Sequence, residues 1–109
     1  MSFNCYAANY RFIEGLEDIP LMKNVFQHVD DTFSFGNEEA RFIEVYLTST
    51  KVGFKKIIDF YKESLPQLGW TYQGTLEGAV IFYREGESLT LHKESSKPLK
   101  IRLTVKNRI

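Results

Sequence analysis

His28 stands two residues before Asp30 and Asp31. A histidine beside two carboxylates is the smallest pattern from which a metal centre or an acid-base pair could be built. Metal sites need three or four ligands in defined geometry and further groups to orient them. In a polar stretch the plainer reading is a solvated loop, and no metal or other cofactor is expected. His92 alternates with Leu91 and Lys93, so it reads as a surface histidine on the polar side of a strand. Two carboxylate pairs, Glu17-Asp18 and Glu38-Glu39, need burial or close approach before they become useful acids and bases. Glu38 and Glu39 fall in a turn pattern and read as solvation. Asp18, beside Ile19-Pro20, is expected to hydrogen-bond the backbone of its own loop. Cys5 is the only cysteine, so the chain cannot close a disulfide on itself or build a thiolate cage. The seven glycines form no phosphate cradle, and no Gly-x-Ser-x-Gly elbow occurs. No catalytic residue is expected, and the chain reads as a non-enzyme.

The basic residues of the C-terminus are a stronger pattern. Lys100, Arg102, Lys106 and Arg108 share one face of a strand, and Phe42, Tyr46 and His92 belong to the same outer face. Several RNA-binding domains hold single strands on such mixtures. Three features speak against it here. No glycine-aromatic RNA-binding motif is present, Lys plus Arg equals Asp plus Glu at 14 each, and Glu44 and Glu94 oppose the stripe across strands. The expectation is therefore no nucleic acid. Phe42, Tyr46, His92 and Arg102, together with Thr71, Gln73, Thr90 and Thr104, are read as a face for self-association or a protein partner, because aromatics and arginine are enriched where proteins meet.

These residues need elements to position them. A chain of 109 residues is one domain, and 43% hydrophobic content supplies a core for it. The whole chain, 1–109, is taken as that domain, with 1–16 a loosely ordered N-terminal arm. No apolar run reaches the ~20 residues of a membrane-spanning helix. Asn9 to Glu14 reads as a short strand, and Gly15 to Met22 as an ordered loop whose Ile19, Leu21 and Met22 cover one end of the core. Phe33 and Phe35 share a face in the first arm of a hairpin, and Arg41 to Ser49 alternates as its second arm, with Ile43, Val45 and Leu47 inward. From Val52 to Leu68 the period changes to that of an amphipathic helix, with Ser49 or Thr50 available as its cap. Period two returns after Gly69 in four short segments, the last with Leu99, Ile101, Leu103 and Val105 inward. The order β-β-α-β-β-β-β, with room for an extra strand at the start and with short connections, describes an α+β fold. An antiparallel meander grips one amphipathic helix in a two-layer sandwich.

The stretch FYKESLPQLGW, Phe60 to Trp70, joins helix to strand. Tyr61, Leu65 and Leu68 complete the helix stripe, Pro66 interrupts its hydrogen bonding, Gly69 suits a left-handed stop, and Trp70 opens the next strand. It reads as a structural corner. Together with Asp18-Ile-Pro-Leu-Met22 it resembles a small family of uncharacterised alphaproteobacterial proteins, by motif order over residues 17 to 109. The layout is also similar to the helix-grip modules of lipoproteins in the outer-membrane barrel-assembly machinery, a likeness of fold that carries no function. The family resemblance implies an exported or envelope protein. The start of the chain lacks a leader pattern, which implies the cytoplasm if the chain is complete and the periplasm or envelope if a leader has been removed. The leading expectation is an interaction or structural module. The alternative is a small-ligand domain with Phe33, Phe35, Tyr61, Trp70 and Tyr72 lining a cavity between helix and sheet.

Overall fold

The computed structural model describes residues 11–37 and 40–108. Strands β1 (Arg11–Ile13) and β2 (Leu16–Leu21) form a two-stranded antiparallel ribbon. Strands β3 (Phe26–Gln27) and β4 (Phe33–Gly36) follow, separated by a 3-10 turn at Val29–Asp31. Both pair with β5 (Arg41–Ser49), one after the other along its edge. Helix α1 (Phe54–Ser64) comes next, then β6 (Thr71–Leu76), β7 (Ala79–Arg84), β8 (Glu87–Ser96) and β9 (Leu99–Asn107). The order across the main seven-stranded sheet is β5-β9-β8-β7-β6, with β3 and β4 outside β5, and every pairing is antiparallel.

The described residues thus form antiparallel sheet with one α-helix, the α+β class expected from the periodicities. The expected order, even with its extra starting strand, which is seen at Arg11–Ile13, lacks Leu16–Leu21 and Phe26–Gln27 at its N-terminal end. Leu16–Leu21, read as a loop because of Pro20, is a strand. Proline is tolerated there because the ribbon has only two strands, so a missing N–H can face away from the single partner. Of residues 1–16, the described part carries the fully buried Ile13 and Leu16, while Cys5 and Asn9 lie outside the described residues.

The pairing registers divide the sheet into two faces. Ile43, Val45 and Leu47 of β5 stand beside Val105, Leu103 and Ile101 of β9, which stand beside Leu89 and Leu91 of β8, then Phe82 and Val80 of β7. All are buried, and they share one core cluster with Ile57, Ile58, Tyr61 and Leu65 of the helix segment and with Ile13, Leu16, Ile19 and Leu21 of the ribbon. Strands β5 and β6 run in the same direction with β9, β8 and β7 between them, so α1 must carry the chain across the width of the sheet. Its apolar stripe is laid on the inner face as it does so.

The helix starts without the expected cap. Its N-cap is Gly53. Ser49 Oγ accepts from the backbone N–H groups of Lys51 and Val52, both at 3.1 Å, and donates to the Asn24 carbonyl at 2.7 Å. It braces the approach to the helix and ties it to the end of the ribbon segment. At the other end, Pro66 tightens the last turn into a 3-10 segment over Leu65–Leu68. Gly69 takes φ +94°, where a side chain is disfavoured, and Trp70 N–H returns to the Leu65 carbonyl at 3.1 Å.

Trp70 is 1% exposed, and the Arg84 guanidinium lies 4.3 Å from its ring centroid. The indole N–H has no hydrogen-bond partner, so packing and the covering cation hold the ring. Arg84 is itself fixed by Asp18 at 2.8 Å and by the Leu68 carbonyl at 3.3 Å. Asp18 therefore serves an ion pair between ribbon and sheet, not its own loop as expected. The loop backbone is met by Glu17, whose carboxylate accepts from the Gly15 N–H at 3.1 Å.

Two outcomes follow from this packing. Trp70→Ala should cost about 3–5 kcal/mol, read as a lowered denaturant midpoint. Tyr61 is fully buried and donates to the Pro20 carbonyl at 2.7 Å, and burial raises its pKa well above the ordinary 10.0. The native state then favours the neutral phenol. Its stabilising contribution is complete below pH 10 and is lost as pH rises above it, when only the unfolded chain ionises freely. Tyr61→Phe should cost about 1 kcal/mol at neutral pH and flatten the fall in stability above about pH 10, measured by urea unfolding across pH.

Candidate functional site: the open sheet face

The face opposite the helix carries most of the residues singled out from the sequence. Phe42, Glu44, Tyr46, Thr90, His92, Arg102 and Thr104 are all half-exposed. Cross-strand registers place Tyr46 beside Arg102 and Arg102 beside His92, so these three form a row across β5, β9 and β8. Phe42 lies on the same face two positions away from Glu44, opposite Lys106.

The row is a charge network. Arg102 stands 3.8 Å from Glu44 and 3.3 Å from Glu94, and His92 Nδ1 lies 3.2 Å from Glu94. The register shift between Lys93 and Ser95 leaves Glu94 as the extra residue of β8, which lets its carboxylate reach the face. Tyr46 donates its hydroxyl to Glu44 at 3.4 Å, and Lys100 sits 5.0 Å over its ring. Desolvation, then the Glu44 charge, push the Tyr46 phenol above its ordinary range, with Arg102 opposing. The phenol therefore stays a neutral donor at physiological pH.

Beside this network lies a cluster that the sequence reading divided between two places. Phe33 and Phe35 point to the outer face, because Phe35 stands opposite Phe42 and Phe33 opposite Glu44. The Phe35 and Phe42 rings stack at 5.5 Å, and Phe33 meets them edge-on at 5.5 and 6.1 Å. Phe33 is 52% and Phe35 63% exposed. The five aromatics assigned to a helix–sheet cavity therefore do not converge: Phe33 and Phe35 are on one face of the sheet, Tyr61 and Trp70 in the core on the other. The register is set by the hairpin turn, which alternation alone does not locate. Once Asn37 and Ala40 close the turn, counting back sets Phe35 against Phe42.

The remaining candidates are dispersed. His28 uses Nε2 on the Thr48 hydroxyl at 2.8 Å, while Asp30 and Asp31 lie in the exposed 3-10 turn. Among the described residues no three His, Cys, Asp or Glu side chains converge as a metal-holding group. Glu38 and Glu39 lie outside the described residues. Thr71 and Gln73 are on the exposed β6, with Gln73 skipped by the register shift between Tyr72 and Gly74. Tyr61 lies in α1, Leu65, Pro66 and Leu68 in the 3-10 turn, Gly69 at its left-handed end and Trp70 just beyond, with Leu68 half-buried. Arg84 and Arg41 were missed. Arg41 pairs with Glu87 through both Nε and Nη2, and this hydrogen bonding raises its pKa. No helix among the described residues is long and apolar enough to cross a membrane.

The chain matches no protein-family model, and no curated protein and no solved structure shows significant similarity to it.

The partly exposed ion pairs of the network should contribute little to stability. Arg102→Ala is expected to cost less than about 1 kcal/mol in urea unfolding and to raise the salt dependence of stability, because Glu44 and Glu94 then face each other unscreened.

Proposed function

We propose that this chain is a binding module: a two-layer, helix-grip sandwich that uses one side of its sheet to hold itself together and the other to dock a protein. On this reading it acts by association and not by catalysis. The observation that carries the proposal is the Phe33–Phe35–Phe42 cluster, stacked in order yet more than half exposed at two of its three rings. A folded chain gains by burying aromatic surface, and each ring can contribute about 150–250 Å² to a contact. Exposed aromatic clusters rimmed by polar groups mark interaction sites. Here the rim is the Glu44–Arg102–Glu94–His92 network with Tyr46, whose cross-strand pairing holds the polar groups in place before any partner arrives.

Replacing Phe42 and Tyr46 together by serine should leave unfolding cooperative and weaken association by about tenfold or more, as expected when an interface anchor is removed. Sedimentation across a concentration series reads self-association, and quantitative cross-linking to a co-purified protein reads a partner. Unchanged association in both assays would remove this reading.

A further inference from the structure

The outer face has a second feature that the binding reading does not use. Phe35, Phe42, Lys106, Ser88, Tyr83 and Thr71 stand directly opposite one another on β4, β5, β9, β8, β7 and β6. They form one transverse row on one face. At its apolar end is the phenylalanine cluster. Toward its middle is a surface hollow of about 480 Å³, lined by Ile81, Tyr83, Ser88 and Thr90 and by the cations Lys106 and Arg108, with Asn107 at its rim. Lys106 and Arg108 are exposed, and the Arg108 guanidinium lies 4.1 Å from the Tyr83 ring centroid. Arg108 Nη1 also donates to the Glu85 carbonyl at 2.8 Å, which fixes the cation over the ring.

No carboxylate lines this hollow among the described residues. Glu87, on the neighbouring β8, is engaged by Arg41 and Arg84. Glu44 and Glu94, further along the face, are both held by Arg102. The row therefore pairs an apolar platform with two cations that have no acid of their own in the hollow. What complements it is an apolar group joined to an anion. Strands are about 4.8 Å apart, so the phenylalanine cluster and the hollow, two strands over, are roughly 10 Å apart. An extended peptide covers that distance in about three residues.

Resting on the proposed binding role of this face, we propose that its partner presents an extended acidic segment, with an apolar side chain seated on Phe33, Phe35 and Phe42 and a carboxylate about three residues away seated between Lys106 and Arg108. Charge complementarity selects this occupant. A single-stranded nucleic acid is a poorer fit. The phenylalanine rings stack on one another and not as separate platforms for successive bases. A second copy is poorer too, because the acids of this face are already engaged by Arg102.

The test uses the full chain and fluorescein-labelled, terminally blocked peptides in which one tryptophan and two adjacent glutamates are separated by one to five glycine or serine residues. Matched peptides carry glutamine for glutamate, and an octathymidylate serves as the nucleic-acid probe. Anisotropy at low and high salt reads affinity. The expected result is tightest binding at a spacing of about two to three residues, weakened by salt, and weaker by about tenfold in the glutamine peptide. Lys106→Glu should lower affinity at least as much, and Lys106→Gln less, with unfolding midpoints showing both variants folded. Binding of no peptide, equal binding of the glutamine peptides, indifference to Lys106→Glu, or tighter binding of the octathymidylate would each overturn the proposal. If native association is lost in the Phe42 and Tyr46 double variant but kept in Lys106→Glu, the binding face stands and the acidic-segment assignment falls.

Discussion

Among the described residues, one α-helix of 11 residues and one two-stranded ribbon are all that lies against a seven-stranded sheet. They cover one face. The rest of the architecture follows from that shortage. The inner side of the central strands is mostly aliphatic or aromatic and buried, with polar residues such as Lys93 and Arg84 toward the strand ends, and the outer side is a mixture that tolerates water. The helix must also cross from β5 to β6, at opposite sides of the β9-β8-β7 block, so its stripe runs over the centre of the core. The ribbon fills what the helix leaves, and the Tyr61 hydroxyl on the Pro20 carbonyl ties the two coverings together.

The corner after the helix is where this covering is closed. Pro66 and Gly69 end the helix by removing a donor and by taking a left-handed angle, which turns the chain into β6 with Trp70 against the core. Arg84 then closes over the indole, and Asp18 reaches from the ribbon to hold Arg84. Ribbon, helix end and sheet meet at this one guanidinium. The ion pair is partly exposed, so its direct electrostatic gain is small, and its main effect is to keep a long side chain stretched over the tryptophan.

The open face owes its order to cross-strand neighbours. Arg102 sits between Glu44 and Glu94 because β9 was inserted between β5 and β8. The same insertion places Lys106 beside Phe42, joining the aromatic end of the face to its basic end. A meander with β9 at the free edge would have separated them.

Periodicity alone determined which residues face inward on β5, β8 and β9, where the helix lies, and that Gly69 and Trp70 form a corner, because each of these depends on side-chain spacing within one element. The acidic partners of Arg102 were also legible, since opposite charges on neighbouring strands were visible in the alternation. Other features needed the tertiary structure. Leu16–Leu21 reads as a loop until β1 is there to pair with it, and Pro20 looks prohibitive until the ribbon is seen to have only two strands. Phe33 and Phe35 have a shared face by alternation, but which face depends on the register with β5, and a shift of one residue would have turned both toward the core. Asp18 and Arg84 are 66 positions apart, and Arg41 and Glu87 are 46 apart. Such pairs are set by how elements far apart in the chain come to rest beside one another, which local spacing does not encode.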